Sequence, residues 1–383
     1  MQYVLVIAMI KKSLVDTQIL QFGTGKFLRG FVDLFVQEVM DTGTVVLPIT
    51  VVQSTGVERV KKLRSQHCRY TAHIRGIAGD NEVTSDLIVQ SIGKALHAEN
   101  DWLELIDISC QAKSIIITSN VTEAGYVLDN GSVCMNSCPK FFPAKLLAIL
   151  ANRFNAGLSD VIVAPCELLE NNGHELCGMV VKQAQLWGVE DACIEWIRED
   201  VVWLNTLVDR IVASPYDEHN SVPFGTLDVI TEPYALWAIQ SNKKDNLLFE
   251  HNAIVSYNNL SEVALRKIRI LNGAHTALVQ SLMPDNDLTV REALDNPEVL
   301  QWLKDLLYGE IAPTISSRVT DALDFVDTTL SRLYNPFIKH RLSDIRLMHE
   351  TKLRMRLLPT YHEFIEQNGK KPPILSELLK DLS

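Results

Sequence analysis

Three residues within one short segment carry the strongest chemistry in this chain. The run KIRILNGAHTAL, residues 267–278, sets one lysine, one carboxamide and one imidazole among Ile and Leu. On an α-helix, at about 100° per residue, Asn272 lies about 140° and His275 about 80° around the axis from Lys267. All three, with Leu271, then share one broad face. Such groups are costly to bury beside aliphatic side chains unless they have a purpose or partners. An amine held partly out of water titrates closer to neutrality, which suits a proton donor and acceptor. Asn272 can donate to a carbonyl or alkoxide oxygen. His275 can orient the lysine or a substrate hydroxyl. Gly273, inside the helical pattern, costs roughly 1 kcal/mol relative to Ala and suggests close packing. Taken singly, each residue also has an ordinary reading: a solvated lysine, or a histidine satisfied in a core.

A second segment, ILQFGTGKFLRG at residues 19–30, runs from a strand into a helix through Gly23-Thr24-Gly25. Gly23 permits positive φ, and Gly25 has no side chain to block a pyrophosphate. The helix start offers free N–H groups and partial positive charge to a phosphate. Leu28 stands where the third glycine of G-x-G-x-x-G belongs, and Gly30 lies two further on, so the pattern alone is a weak match. A ligand-free strand-to-helix turn is the plainer alternative. The next strand should end on the residue that meets an adenine ribose. Here Val51-Val52 is followed by Gln53-Ser54-Thr55 without a carboxylate, and Arg59, Lys61 and Lys62 come soon after, which leaves NAD and NADP both open. Ser119–Gly125 (SNVTEAG) follows the apolar run SIIIT, where a doubly wound sheet puts its cofactor-side loops, or else forms a structural turn.

The elements that must position these groups follow from periodicity. Strands are expected over Gln18–Phe22, Val45–Val52, Ser114–Thr118 and Asp160–Ala164. Helices are expected over Gly25–Val39, Asp101–Ile106, Phe142–Phe154 and Glu175–Leu186. This alternation indicates a parallel sheet with crossovers. Arg69–Leu87 reads instead as a hairpin or small antiparallel insertion turning at Gly79–Asn81. From Glu232 onward the pattern is helical: Pro233–Gln240, Ser261–Leu282, Val290–Ala293, Pro297–Tyr308, Ala312–Tyr334, Pro336–His349 and Leu353–Gln367. The expected fold is α/β. A Rossmann-like doubly wound domain with a small β insertion spans residues 1–228, and a mainly α-helical substrate domain spans 229–383.

Composition narrows the partners. With 36 basic against 47 acidic residues the formal charge is −11, and no basic run is present. That disfavours nucleic acid, whose affinity rests on phosphate neutralisation. An anionic small molecule would need basic residues converging locally. Seven cysteines, at 68, 110, 134, 138, 166, 177 and 193, read as reduced thiols of a cytoplasmic protein. Cys134 and Cys138 lack a second Cys or His pair at zinc-like spacing, so no metal site is expected. No apolar run reaches the roughly 18–20 residues a membrane span needs. The apolar run Tyr3–Ile10 precedes Lys11 and Lys12, the reverse of a signal peptide. It reads as a first strand or an extension ahead of a start at Met9.

The segments ILQFGTGKFLRGFVD, SNVTEAG, FPAKL, PCELLENNG, TLVDRIV, EPYALW, KIRILNGAHTALV and NPFIKHRL occur in order from Ile19 to about Leu358. With them the chain resembles the mannitol dehydrogenase family of polyol-specific long-chain dehydrogenases. The PCEL form resembles its uronate branch. The resemblance implies a metal-independent NAD(P) oxidoreductase interconverting a keto-uronate and an aldonate, of the tagaturonate–altronate kind. Within K-x4-N-x2-H, Lys267 matches the acid/base, and Asn272 and His275 match its partners. The cofactor would lie on Gln21, Phe22, Gly23, Thr24, Gly25, Lys26, Phe27, Arg29 and Gly30, with Asn120 and Thr122. Asp209, Arg332, Asn335 and Lys339 match substrate-side positions, with Arg332 and Lys339 expected to hold a substrate carboxylate. Leu168 stands where mannitol dehydrogenases carry a second oxyanion Asn, which leaves Asn171 or Asn172 as candidates. The competing readings are a mannitol, mannitol-phosphate or fructuronate dehydrogenase, a non-catalytic NAD(H)-binding regulator, and a nucleotide-free scaffold.

Overall fold

In the computed structural model, residues 17–44, 46, 48–78, 81–131, 137–215, 227–241, 248–282 and 288–382 are described. The N-terminal run with Met9, the turn residues Gly79 and Asp80, and Cys134 lie outside them. The strands in chain order are β1 Thr17–Phe22, β2 Ile49–Gln53, β3 Tyr70–Ala78, β4 Asn81–Val89, β5 Ile92–His97, β6 Ser114–Ser119, β7 Asp160–Pro165, β8 Val202–Trp203, β9 Thr206–Asp209, β10 Val212–Ala213, β11 Val229–Thr231, β12 Leu236–Gln240 and β13 Ile254–Tyr257. They form two compact units with the helices. One unit runs through His73, then takes Asp86–Val229 and Ala235–Asn258; the other takes Ile74–Ser85, Ile230–Tyr234 and the chain from Asn259 onward. These units are discontinuous, where the sequence reading drew a single cut near Asp228.

The first unit is built on a six-stranded sheet in the order β5-β2-β1-β6-β7-β8, with parallel pairing throughout. By appearance in the sheet this is the order 3-2-1-4-5-6 of the doubly wound dinucleotide-binding fold. Its interior strands are continuous apolar runs, as SIIITS in β6 shows, because helices cover both faces. The winding reverses between β1 and β6, so the loops after Phe22 and Ser119 flank the switch point. The expected hairpin is β3 and β4, adjacent in a four-stranded sheet of order β10-β11-β3-β4.

Two expectations need correcting here. Gly25–Val39 is not one helix: Lys26–Arg29 forms one turn, the chain breaks at Gly30–Phe31, and a helix resumes over Val32–Asp41. Close packing sets the break, since a Cβ on Gly30 would stand 2.7 Å from Val212 Cγ1. Pro233–Gln240 is not helical. Leu236–Gln240 is strand β12, paired antiparallel to β9 and parallel to β13 in a third sheet. Its LWAI run is buried on every side and so has no period to read. Strand β13 was not anticipated at all.

The second unit is mainly helical, as expected, around a core that includes Ile270, Leu278, Leu306, Ile311, Leu357 and Leu375. Several expected helices are shorter. Pro336–His349 holds only Leu342–Ile345, because Asn335 turns the chain by accepting the Phe337 N–H at Oδ1, 3.0 Å. The 312–334 span divides into Ala312–Ile315 and Ala322–Leu333. The last long pattern breaks at Leu357, two residues before Pro359, giving helices His349–Arg356 and Leu358–Asn368. Among the described residues no helix is long and apolar enough to cross a membrane.

Candidate active site

The glycine turn lies in the first unit. Gly23 has φ +128°, its N–H donates to Val52 O at 2.9 Å, and an added Cβ would stand 2.9 Å from Leu28 Cδ1. Both the conformation and the space demand glycine. Gly25 differs: among the described residues nothing beyond its chain neighbours lies within 4 Å of where its Cβ would be, so the turn leaves open space there. Leu28 therefore fills the hollow beneath Gly23, and Gly30 makes the close approach usually left to the third glycine of such motifs. Two buried oxygens at the turn, Gln21 Oε1 and Thr24 Oγ1, have no hydrogen-bond partner among the described residues. A buried polar atom without a partner is uncommon and calls for an explanation. Open space at Gly25 next to the unpartnered Thr24 hydroxyl fits a dinucleotide phosphate, while the Gln21 side chain is turned to Gly23 O and Asp33.

The remaining turn residues divide between ligand side and scaffold. Phe22 is core, packed on Phe142 at 5.0 Å between ring centroids. Phe27 stacks on Phe31, and Lys26 is exposed. Arg29 is buried and spends its guanidinium on the backbone carbonyls of Leu227 (2.9 Å) and Thr24 (2.5 Å). It braces the turn. Beneath it lies Asp33, wholly buried, whose carboxyl is raised to about 7 chiefly by loss of solvent, with Tyr70 OH at 3.3 Å.

Across the switch point, the SNVTEAG loop is tied down by a buried carboxylate. Glu167 accepts the Val121 N–H at 2.7 Å and the Ser119 hydroxyl at 3.2 Å. Burial raises its pKa, while those bonds oppose the shift. Asn120 donates to Cys166 O at 2.9 Å, while its own N–H bonds Phe22 O. Thr122 is exposed. Asn172 is not available as an oxyanion donor. Its amide donates to Pro165 O and Glu167 O, and its carbonyl accepts the Thr206 N–H at 2.8 Å, all in the interior. It is a strut between β7 and β9. Asn171 is exposed at a left-handed φ of 52°. Asp209 is buried in β9, opposite Leu236.

The Lys267 helix lies in the second unit, and its geometry departs from a plain α-helix. Lys267–Leu271 is a π turn between α segments Ser261–Arg266 and Asn272–Ser281. The Asn272 N–H donates to the Lys267 carbonyl, an i→i+5 bond. Asn272 thus stands one hydrogen-bonded turn from Lys267, closer in phase than the α-helical count allowed. Such π turns concentrate at functional sites. Lys267 and Asn272 are half-buried, and His275 is 6% exposed. His275 bonds the Leu271 backbone and packs edge-on to His340, while its Nε2 has no partner among the described residues. With Nδ1–H donating to Leu271, Nε2 presents a lone pair. Burial first, then the nearby charge of His340, Arg332 and Arg356, pushes this imidazole's pKa well down, so it is neutral at pH 7.

The substrate-side expectations fare differently from one another. Arg332 is not an open clamp: its Nε and Nη2 grip Glu232 at 2.9 and 2.8 Å in a fully buried pair, stacked over Tyr234. Asn335 donates to Arg75 O at 2.9 Å and braces the following turn. Lys339 is exposed. Sequence reasoning missed Glu232, whose pairing partner is 100 positions away, and Arg356, which lies against the Asn272–Thr276 turn. Among the described residues no group of His, Cys, Asp or Glu could hold a metal ion.

Comparison with known proteins agrees with this layout. Residues 17–250 match the family model "Mannitol dehydrogenase Rossmann domain", and residues 259–379 match "Mannitol dehydrogenase C-terminal domain". Altronate oxidoreductase of Bacillus subtilis is 35% identical, covering 93% of this chain and 76% of the relative. That of Halalkalibacterium halodurans is 31% identical, covering 95% and 74%. The solved structure of Pseudomonas fluorescens mannitol 2-dehydrogenase, in ternary complex with NAD and D-mannitol, superposes with TM-score 0.76 at 22% identity, covering 96% of this chain and 78% of that one. A D-sorbitol dehydrogenase in substrate-free form gives TM-score 0.76 at 19% identity, covering 97% and 84%.

Proposed function

This chain belongs to the mannitol dehydrogenase family, and from that premise we propose that it is an NAD-dependent dehydrogenase interconverting a keto-uronate and an aldonate, of the tagaturonate–altronate kind. The family assignment, the dinucleotide-binding strand order and the vacant space at Gly25 support the cofactor. The altronate relatives support the substrate. The observation that carries the chemistry is the π turn that brings Asn272 over Lys267, one turn before an imidazole with a buried, unpartnered Nε2.

The cofactor, when bound, would supply the hydride as NADH or take it up as NAD+. The protein's part is to handle the proton and the oxygen. In the reducing direction Lys267, as ammonium, gives its proton to the oxygen of the ketone being reduced. Asn272 donates a hydrogen bond to that same oxygen, which gains negative charge in the transition state. Neutral His275 accepts from an adjacent substrate hydroxyl at Nε2 and so fixes the carbon skeleton. In the oxidising direction the free amine of Lys267 takes the hydroxyl proton. Glu167 holds the SNVTEAG loop, and Gln21 and Thr24 would meet the cofactor.

The test is a spectrophotometric screen of NADH and NADPH oxidation against tagaturonate, fructuronate, fructose and fructose 6-phosphate. NADH oxidation fastest with tagaturonate is the expected outcome. Preference for fructose or its phosphate would move the chain to the polyol side of the family, and preference for fructuronate to its sister reaction. Tight NADH binding with no turnover of any ketone would favour a regulator.

A further inference from the structure

Among the described residues of the helical unit, one half-buried guanidinium meets no carboxylate. Arg356 ends the helix His349–Arg356 and is half-buried. Its Nη1 donates to Thr276 Oγ1 at 3.1 Å and reaches the Asn272 carbonyl at 3.5 Å. Both acceptors are neutral, and both sit on the turn that carries Asn272 and His275. Among the described residues its Nε and Nη2 have no hydrogen bond and it meets no carboxylate. By contrast Arg269, Arg291, Arg332 and Arg354 each meet one, at Glu363, Asp295, Glu232 and Glu350.

Its surroundings carry the same sign. His349 and Lys352 share its helix face, at i−7 and i−4. Their hydrogen bonds also go to neutral acceptors, His349 with Gln280 Oε1 at 2.7 Å and Lys352 with Ile345 O at 2.6 Å. Burial lowers the pKa of Arg356, Lys352 and His349, and no acid is among the groups acting on them. A chain of net charge −11 has carboxylates to spare, yet among the described residues none acts on these three groups. Uncompensated positive charge partly out of water, next to catalytic side chains, is the setting for an anionic ligand.

We propose that Arg356 receives the substrate carboxylate on its open Nε–Nη2 edge, and that this contact makes the site prefer sugar acids over neutral sugars. Arg332 uses that same edge to hold Glu232, which is why it cannot serve the substrate in this way. The inference rests on the function proposed above and gives Arg356 the carboxylate role that the sequence suggests for Arg332. A planar guanidinium matches a carboxylate with two parallel bonds, which a lysine cannot reproduce.

The test compares kcat/KM for tagaturonate and for tagatose, its neutral counterpart, in the wild type, Arg356→Gln and Arg356→Lys. The acid-to-neutral ratio should fall about 100-fold in Arg356→Gln, chiefly through KM for the acid, and recover in part in Arg356→Lys. An unchanged ratio, through equal losses or none, would overturn the proposal and leave Arg356 a brace for the Asn272 turn. If the wild type oxidises NADH with neither ketone, or with tagatose alone, the function proposed above fails separately. The subsite is then judged by calorimetric titration of altronate into NAD-saturated protein. Binding that weakens about 100-fold in Arg356→Gln supports it, and absent or equal binding overturns it.

Discussion

Around Gly23 what is offered to a ligand is mostly backbone and empty space; around Lys267 it is side chains. The glycine turn is specified by what residues lack. Gly23 lacks a Cβ because φ is +128° and Leu28 lies underneath, Gly30 because Val212 lies against it, and Gly25 although nothing among the described residues presses on it. The Lys267 helix is specified by what residues carry and by one widened turn that rephases them. The contrast teaches where each half can fail. A change in the turn acts through shape. A change in the helix acts through a proton, a charge or a hydrogen bond, with the backbone left standing.

The sharpest way to break that contrast is Lys267→Ala. Turnover should fall by about 10²–10⁴, the usual worth of a positioned acid/base. NADH affinity, read by fluorescence titration, should stay near wild type. Near-wild-type turnover would remove Lys267 from the chemistry, and lost NADH binding would mean that the helix shapes the cofactor site too.

The Glu232–Arg332 pair comes next. Removing one partner of a buried pair leaves an uncompensated charge, at about 3–5 kcal/mol. Glu232→Gln and Arg332→Gln should therefore each lower stability by that order, measured by urea unfolding. If Glu232→Gln leaves stability intact while tightening the acid substrate, Arg332 is a ligand held in reserve and the role given to Arg356 weakens.

Asp33 links the glycine turn to pH. Its carboxyl is raised to about 7 in the folded protein, against 3.8 for the free group, first by burial. The folded state therefore holds the proton more tightly than the unfolded chain does. The stabilisation is full below about pH 4 and is lost as pH rises toward 7, by up to about 4 kcal/mol. Asp33→Asn should flatten that slope in a plot of Tm against pH. An equal slope in both proteins would assign the pH dependence elsewhere.

Much of the first unit was legible because its signals are local. SIIIT and DVIVA are β-branched runs of strand length, and the glycines announce their turn. Strand β12 was misread because LWAI is buried all round, and periodicity is silent where every face is inside. In the second unit the residue types of the Lys267 segment were readable, but their phase was not, since counting at a fixed angle cannot detect a π turn. Arg332 shows the deeper limit. Its chemistry suits a substrate carboxylate, and only the fold reveals that Glu232, 100 positions away, already occupies it. Asn172 failed as a candidate for the same reason, its amide being used up between two strands.

The smallest effects separate space from shape within the glycine turn itself. Gly30→Ala must push a Cβ against Val212 at 2.7 Å, so packing should yield and stability should fall by about 1–3 kcal/mol. Among the described residues Gly25→Ala meets no atom beyond its chain neighbours within 4 Å, and its φ of −68° suits any residue, so Tm should hold. Yet if a pyrophosphate occupies that space, the new methyl group displaces it, and the Kd for NADH should rise about tenfold, near 1.4 kcal/mol. The two variants then fail in opposite assays. A Gly25→Ala protein that binds NADH as the wild type does would mean that the open space serves no cofactor, and that Gly25 is glycine for a reason outside this turn.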